Sequence, residues 1–201
     1  MIFTLVLLAG ITMSNAAPAD QTSVDQIPGG GSATIYQSGS DNTASVKQRG
    51  GGTVLTVQRG AGNQTSVTED GAGASAATWQ SGTANEIDVG QSGAGPSVAT
   101  VSQTGASNAA SISQSSCPGC GLNVAQVSQM GFGDVANLSQ NGGGNMALET
   151  QYGSKDTEVV SQTGQGNYLS YTQYGNNLSI GVNQTGGAAV SVVQYGAALH
   201  H

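Results

Sequence analysis

Apolar and polar residues alternate along this chain in short runs, and nearly every run ends on a glutamine. Two residues before that glutamine stand Ile35, Val46, Val67, Val89, Val101, Ile112, Val127, Leu138, Val160, Val182 and Val192. Four residues before it the chain has mostly alanine, as at Ala33, Ala44, Ala76, Ala99, Ala110, Ala125, Ala136 and Ala147. Ser, Thr, Asn and Lys fill most of the places between. A period of two puts alternate side chains on one face of a strand. Each run therefore predicts a half-buried strand of about six residues with Ala, Val or Ile, and Gln on its inner face. The Gly-rich segments that follow, such as Arg59-Gly60-Ala61-Gly62 and Gly142-Gly143-Gly144, predict tight reversals.

The glutamines form a series: Gln37, Gln48, Gln58, Gln80, Gln91, Gln103, Gln114, Gln129, Gln140, Gln151, Gln162, Gln173, Gln184 and Gln194, with Glu69 in the one missing place. The usual step is eleven residues, and glycine follows two positions later in fourteen of the fifteen units, Ser116 being the exception. A fixed short period is the mark of a solenoid. The true repeat is twice the step. In every second unit the residue six before the key position is Asn42, Asn63, Asn85, Asn108, Asp134 or Asp156, whereas the other units begin with Gly31, Gly52, Ala74 and Ser97. Tyr152, Tyr174 and Tyr195 also recur only in alternate units. The pattern predicts an all-β solenoid over 32–196, about 7.5 strand-turn-strand rungs of 22 residues, with two facing parallel sheets. Gln and Asn amides carry both donor and acceptor, so identical side chains can hydrogen-bond along such a stack. Glu149 and Glu158 fall at inward positions and Tyr171 is large for its place, which predicts local distortion there or a face that is not fully closed.

Composition fits a thin core made by repetition. The chain has 32 glycines, 7% charged and 4% aromatic residues, too few large apolar side chains for a thick globular core. A net charge of −7 argues against nucleic-acid or anionic-membrane binding. Residues 2–13 form an apolar run followed by small residues, a secretory signal with cleavage after Ala19 or Ala16, although the basic start of such signals is missing. The expected organisation is a signal peptide at 1–19, a flexible leader at 20–31 that acts as a secretion address, the solenoid at 32–196 and a tail at 197–201.

Ser97, Gln103, Gly105, Asn108, Ala110 and Gln114 resemble the full motif of the curlin repeat family, the amyloid subunits of bacterial curli fibres. Gln80, Gly82, Asn85 and Gln91 match in part, as do Gln37, Gly39, Asn42, Ala44 and Gln48; Asp134 stands for Asn in a further unit. The chain departs from the family in having more rungs than its best-known members, in Glu69, and in a Cys pair outside the pattern. The resemblance implies passage through the periplasm with its chaperones, export through an outer-membrane pore, and nucleated assembly into a homopolymeric fimbrium at the cell surface. It also implies a nucleator subunit as partner and a role in adhesion and biofilm matrix.

Open strand edges at the two ends would template the next molecule. No capping helix is visible, and Ile35 and Gln37 at one end and Val192 and Gln194 at the other are the expected templating residues. Within the family the alternative is a nucleator; outside it, a monomeric ligand-binding or ice-binding solenoid, which needs a sustained outer array of Thr, or an enzyme on a β-helix scaffold. No catalytic, metal-binding or cofactor-binding set is expected. Cys117 and Cys120 have redox-motif spacing without the βαβ context, and His200 and His201, the two histidines, are both terminal. A local disulfide or two loop thiols is the expectation for the pair. Tyr152, Tyr174 and Tyr195 form an outward ladder that stacks across rungs or binds dyes, sugars or surfaces.

Overall fold

The computed structural model describes residues 3–5, 11–15, 19–27 and 30–196, and every regular element in them is a β-strand. Strands alternate between two parallel sheets. The first holds β1 (Phe3–Leu5), β3 (Gln21–Ile27), β5 (Thr43–Arg49), β7 (Gln64–Gly71), β9 (Glu86–Gly93), β11 (Ala109–Ser116), β13 (Val135–Gly143), β15 (Thr157–Gln165) and β17 (Ser179–Thr185). The second holds β2 (Ile11–Asn15), β4 (Ser32–Ser40), β6 (Gly52–Ala61), β8 (Ala74–Thr83), β10 (Ser97–Ala106), β12 (Asn123–Phe132), β14 (Met146–Ser154), β16 (Tyr168–Asn176) and β18 (Ala189–Tyr195). Each strand pairs with the strands two before and two after it. This is a β-solenoid of 22-residue rungs, and β4 to β18 account for the expected seven and a half.

Like stacks on like. Gln58 pairs in register with Gln80, Gln80 with Gln103, Gln103 with Gln129 and Gln129 with Gln151. The step from Gln103 to Gln129 is 26 residues rather than 22, yet register holds. The surplus leaves the sheets as a loop after β11, closed by a disulfide between Cys117 and Cys120 whose Cα atoms are 5.4 Å apart. The core between the sheets consists of the predicted columns: Ala33, Ile35, Val46, Val89, Val101, Val127 and Leu138 are all buried. Each Val or Ile so buried contributes roughly 1.5–3 kcal/mol. Where the inner column offers no aliphatic, at Thr56 and Thr78, the Thr78 hydroxyl donates to Thr56 Oγ1 at 3.0 Å, so both stay satisfied inside.

The corners explain the glycines. Gly60 has φ +117°, and a Cβ there would run into the carbonyl of Gly82 in the next rung. The residue before most corner Asn or Asp residues takes the left-handed conformation: Gly62 and Gly133 in some rungs, Ala84 and Ser107 in others.

One expectation is corrected. Residues 20–31, expected as a flexible leader, contain β3, which pairs with β5 over Gln21–Ile27. Thr22, Val24 and Gln26 are buried at the minus-four, minus-two and key positions of an ordinary unit, eleven residues ahead of Gln37. Pro28 stands where the marker glycine would be, which hid the unit. While residues 1–19 are present β2 pairs with β4, and Thr22 of β3 donates to Gln37 Oε1 at 2.5 Å; the expectation for Ile35 and Gln37 concerned an end without residues 1–19. The expected tail, with His200 and His201, lies outside the described residues.

Candidate functional site: the amide ladders and the open edge

In the second sheet an unbroken chain of amides runs the length of the stack. Gln37 Nε2 donates to Gln58, and the series continues through Gln80, Gln103, Gln129, Gln151 and Gln173 to Gln194 at 2.8–3.2 Å. From Gln37 to Gln151 the second N–H of each amide crosses the core. Gln58 Nε2 reaches the Thr43 carbonyl at 3.0 Å, and Gln103 Nε2 the Glu86 carbonyl at 2.9 Å, both in the first sheet. Each glutamine from Gln37 to Gln151 thus fixes register along the stack and clasps the two sheets together. From Gln37 to Gln173 these side chains are buried, so an amide left unpaired there costs about 1–3 kcal/mol.

A second ladder runs along the corners. Asn63 gives both its backbone N–H and its Nδ2 to Asn42 Oδ1, at 3.1 and 3.0 Å, and its other Nδ2 hydrogen to the Gly82 carbonyl at 3.0 Å. Asn85 repeats this arrangement on Asn63, and Asn108 gives its N–H to Asn85. The Gln ladders donate toward the C-terminal end of the stack and the Asn ladder toward the N-terminal end. Asp20 begins the Asn ladder by accepting from Asn42 N and Nδ2. On the opposite corner a third ladder, Asn123–Asn145–Asn167, has the same geometry. These three residues, like Asp20, Thr22 and Gln26, escaped the sequence reading. The signal was present, since each Asn lies six before Gln129, Gln151 or Gln173.

Acids interrupt the ladders in a defined way. Glu69 accepts from Gln48 Nε2 at 2.9 Å but, as a carboxylate, has nothing to donate; Gln91 Oε1, next in line, is buried without a partner. From Gln91 the ladder resumes through Gln114, Gln140 and Gln162 to Gln184. Asp134 and Asp156 keep the acceptor half of the Asn role, taking the N–H groups of Asp156 and Leu178. Their Oδ2 atoms, where Asn has its N–H₂, are buried without partners. Burial pushes all three carboxyls above the ordinary carboxylate range, against the pull of the hydrogen bonds they accept.

One rung differs in kind. Glu149 and Glu158, on β14 and β15, are fully buried inside the solenoid, and none of their four carboxylate oxygens has a partner. Tyr171 lies over Glu149 in the next rung and donates its hydroxyl to Gln194 Oε1 at 2.9 Å. The expected distortion does not break register, because β14, β15 and β16 pair without a slip.

At the C-terminal side the described strands finish on an exposed edge. Among the described residues β17 and β18 are each the last strand of their sheet, and Ile180, Val182, Val190 and Val192 are only partly buried, unlike their counterparts in inner rungs. Outside, Tyr152, Tyr174 and Tyr195 stack with centroids 5.2 and 5.3 Å apart, forming the cross-rung ladder expected of them and leading to that edge. Among the described residues no group of three or more His, Cys, Asp or Glu could hold a metal ion.

The family model of the curlin associated repeat matches residues 82–115, which span the end of β8, all of β9 and β10 and most of β11. The matched stretch, which is similar to that repeat, contains Asn85, Gln91, Gln103, Asn108 and Gln114. No curated protein and no solved structure matches the chain. Curlin repeats form a structural, non-enzymatic family.

Proposed function

We propose that this chain is the bulk structural subunit of an extracellular, curli-like amyloid fibre that grows by end-to-end stacking of solenoids. The observation that carries this reading is the edge at β17 and β18, where, among the described residues, the core columns and the Gln ladders stop and no further strand pairs. Such an edge is a template for another strand. Docking one end of a copy on the other end of the next does not close, so it makes a filament. Cleavage after Ala19 removes β1 and β2, leaving β3 and β4 as the opposite end, with Gln26 and Gln37 ready to continue the ladders of Gln184 and Gln194. Gln26 Oε1 is buried without a donor, which is what an unfilled ladder end provides.

In this reading the chain passes through the periplasm with its chaperones and leaves by an outer-membrane pore. It assembles on a nucleator at the cell surface and serves adhesion and biofilm matrix. The final unit, Ser191 to Gly196, is regular and uncharged, which favours the bulk subunit over the nucleator. The test is growth. The chain lacking residues 1–19 should form fibres visible by electron microscopy, with amyloid-dye fluorescence that rises faster on seeding. A monomer that stays soluble through seeding would end the proposal.

A further inference from the structure

We propose that Glu149 and Glu158 form an acid-closed latch, so that the C-terminal rungs, and with them the open edge, assemble as pH falls and loosen as it rises. The grounds are geometric. The two side chains belong to one rung, one from each sheet, and both are sealed between the sheets. Every carboxylate oxygen of the pair lacks a partner.

The neighbours supply no relief. From β16 the facing titratable group is Tyr171; at the corners entering β13 and β15 stand Asp134 and Asp156, both acids. The inward positions of β12, β13, β17 and β18 carry only Ala, Val, Leu, Ile and Gln, plus a corner Asn. Lys155 sits at the same corner but is exposed, and the one ion pair among the described residues, Arg49–Asp70, lies rungs away. An ionised carboxylate without partner or cation is strongly disfavoured in such a place. Burial raises both carboxyls far above their ordinary value, and the charge of Glu149 raises Glu158 further.

The sign follows from proton counting. The closed rung holds protons that the open chain releases above about pH 4.3. Stability of the closed form is therefore greatest at low pH and falls as pH rises toward the raised values. Each carboxyl shifts the opening equilibrium by up to about tenfold per pH unit, and the pair by up to about a hundredfold. Because β17 and β18 rest on β15 and β16, opening this rung removes the edge as well. Control of fibre growth by this route rests on the function proposed above; closure of the latch does not.

The experiment is amide hydrogen exchange on the full chain from pH 5 to pH 8, corrected for intrinsic exchange, with fibre yield measured in parallel. Protection across β14–β16 should drop at least tenfold per pH unit, while protection across β10 and β11 stays level. The double variant Glu149→Val with Glu158→Ala, which takes the residues found at Val127 and Ala136 in the rung before, should be flat in pH. An Asp88→Asn variant, at an exposed acid, should keep the wild-type profile. A level wild-type profile in β14–β16, or a double variant that keeps the pH dependence, overturns the latch. Acid-dependent protection without fibres at any pH leaves the latch standing and overturns the fibre reading instead.

Discussion

The central rungs and the C-terminal rungs share one backbone and differ in what they enclose. Between β8 and β12 the inner columns hold Ala, Val, Ile and Thr, every key position is Gln, and the corner positions carry Asn85, Asn108 and Asn123 with Ala74 and Ser97 ahead of the last. Between β13 and β16 the same columns hold Asp134, Glu149, Asp156, Glu158 and Tyr171, and six buried carboxylate oxygens have no partner. The strands pair equally well in both regions, so the backbone ladder does not register the difference. Repetition sets the shape, and the chemistry of the enclosed side chains sets how stable each rung is at a given pH. Within one cooperative stack the acid-bearing rungs are where opening starts as pH rises.

Moving an acid into the central region breaks the contrast most directly. Val127→Glu places a carboxyl in the column next to Glu149 and should cost about 4 kcal/mol at pH 7. Urea unfolding of the monomer should show that cost shrinking as pH falls toward the unfolded carboxyl value, since only the ionised form is penalised. A pH-independent loss would mean that shape rather than charge is at fault.

Removing a ladder amide comes next. Gln103→Ala deprives Gln80 Nε2 of its acceptor and Gln129 Oε1 of its donor inside the stack, and should cost about 2–4 kcal/mol. Gln194→Ala, at the half-exposed edge, should cost only about 1 kcal/mol in the monomer and slow seeded growth, read by dye fluorescence. Equal losses at both sites would show that the edge is not open in solution.

Repairing a broken ladder should stabilise. Glu69→Gln restores a donor to Gln91 Oε1 and removes a carboxyl whose value burial raises, a gain of roughly 1 kcal/mol at neutral pH. The wild-type carboxyl protonates as pH falls and can then donate, so the gain should fade as pH falls from the raised folded value and be gone by about pH 4.3, read by thermal unfolding at pH 7 and pH 3.5. The smallest effect is at the corners. Ala84→Gly, at φ +53°, relieves a left-handed residue where other rungs have Gly62 or Gly133, and should raise stability by about 0.5–1 kcal/mol. A loss in the melting temperature would show the corner to be unstrained.

The sequence by itself determined the repeat, the two unlike sheets, the inner columns and most of the ladder. These follow from a strand period of two and a step of eleven, both of which are local. It also flagged Glu149, Glu158 and Tyr171 as misplaced, because each breaks a column. Only the tertiary structure decided the rest. Thr22, Val24 and Gln26 make a unit because β5 pairs with them, although the Gln-x-Gly marker is missing. The Asn123–Asn145–Asn167 ladder appears once the inserted loop is folded out and the corners are aligned. That the inner glutamines also clasp the opposite sheet, and that one Glu at position 69 leaves Gln91 Oε1 unpaired a rung away, depends on distances across the core and along the stack. A period along the chain specifies which residues share a face, but partners on other rungs are set by how the rungs lie on one another.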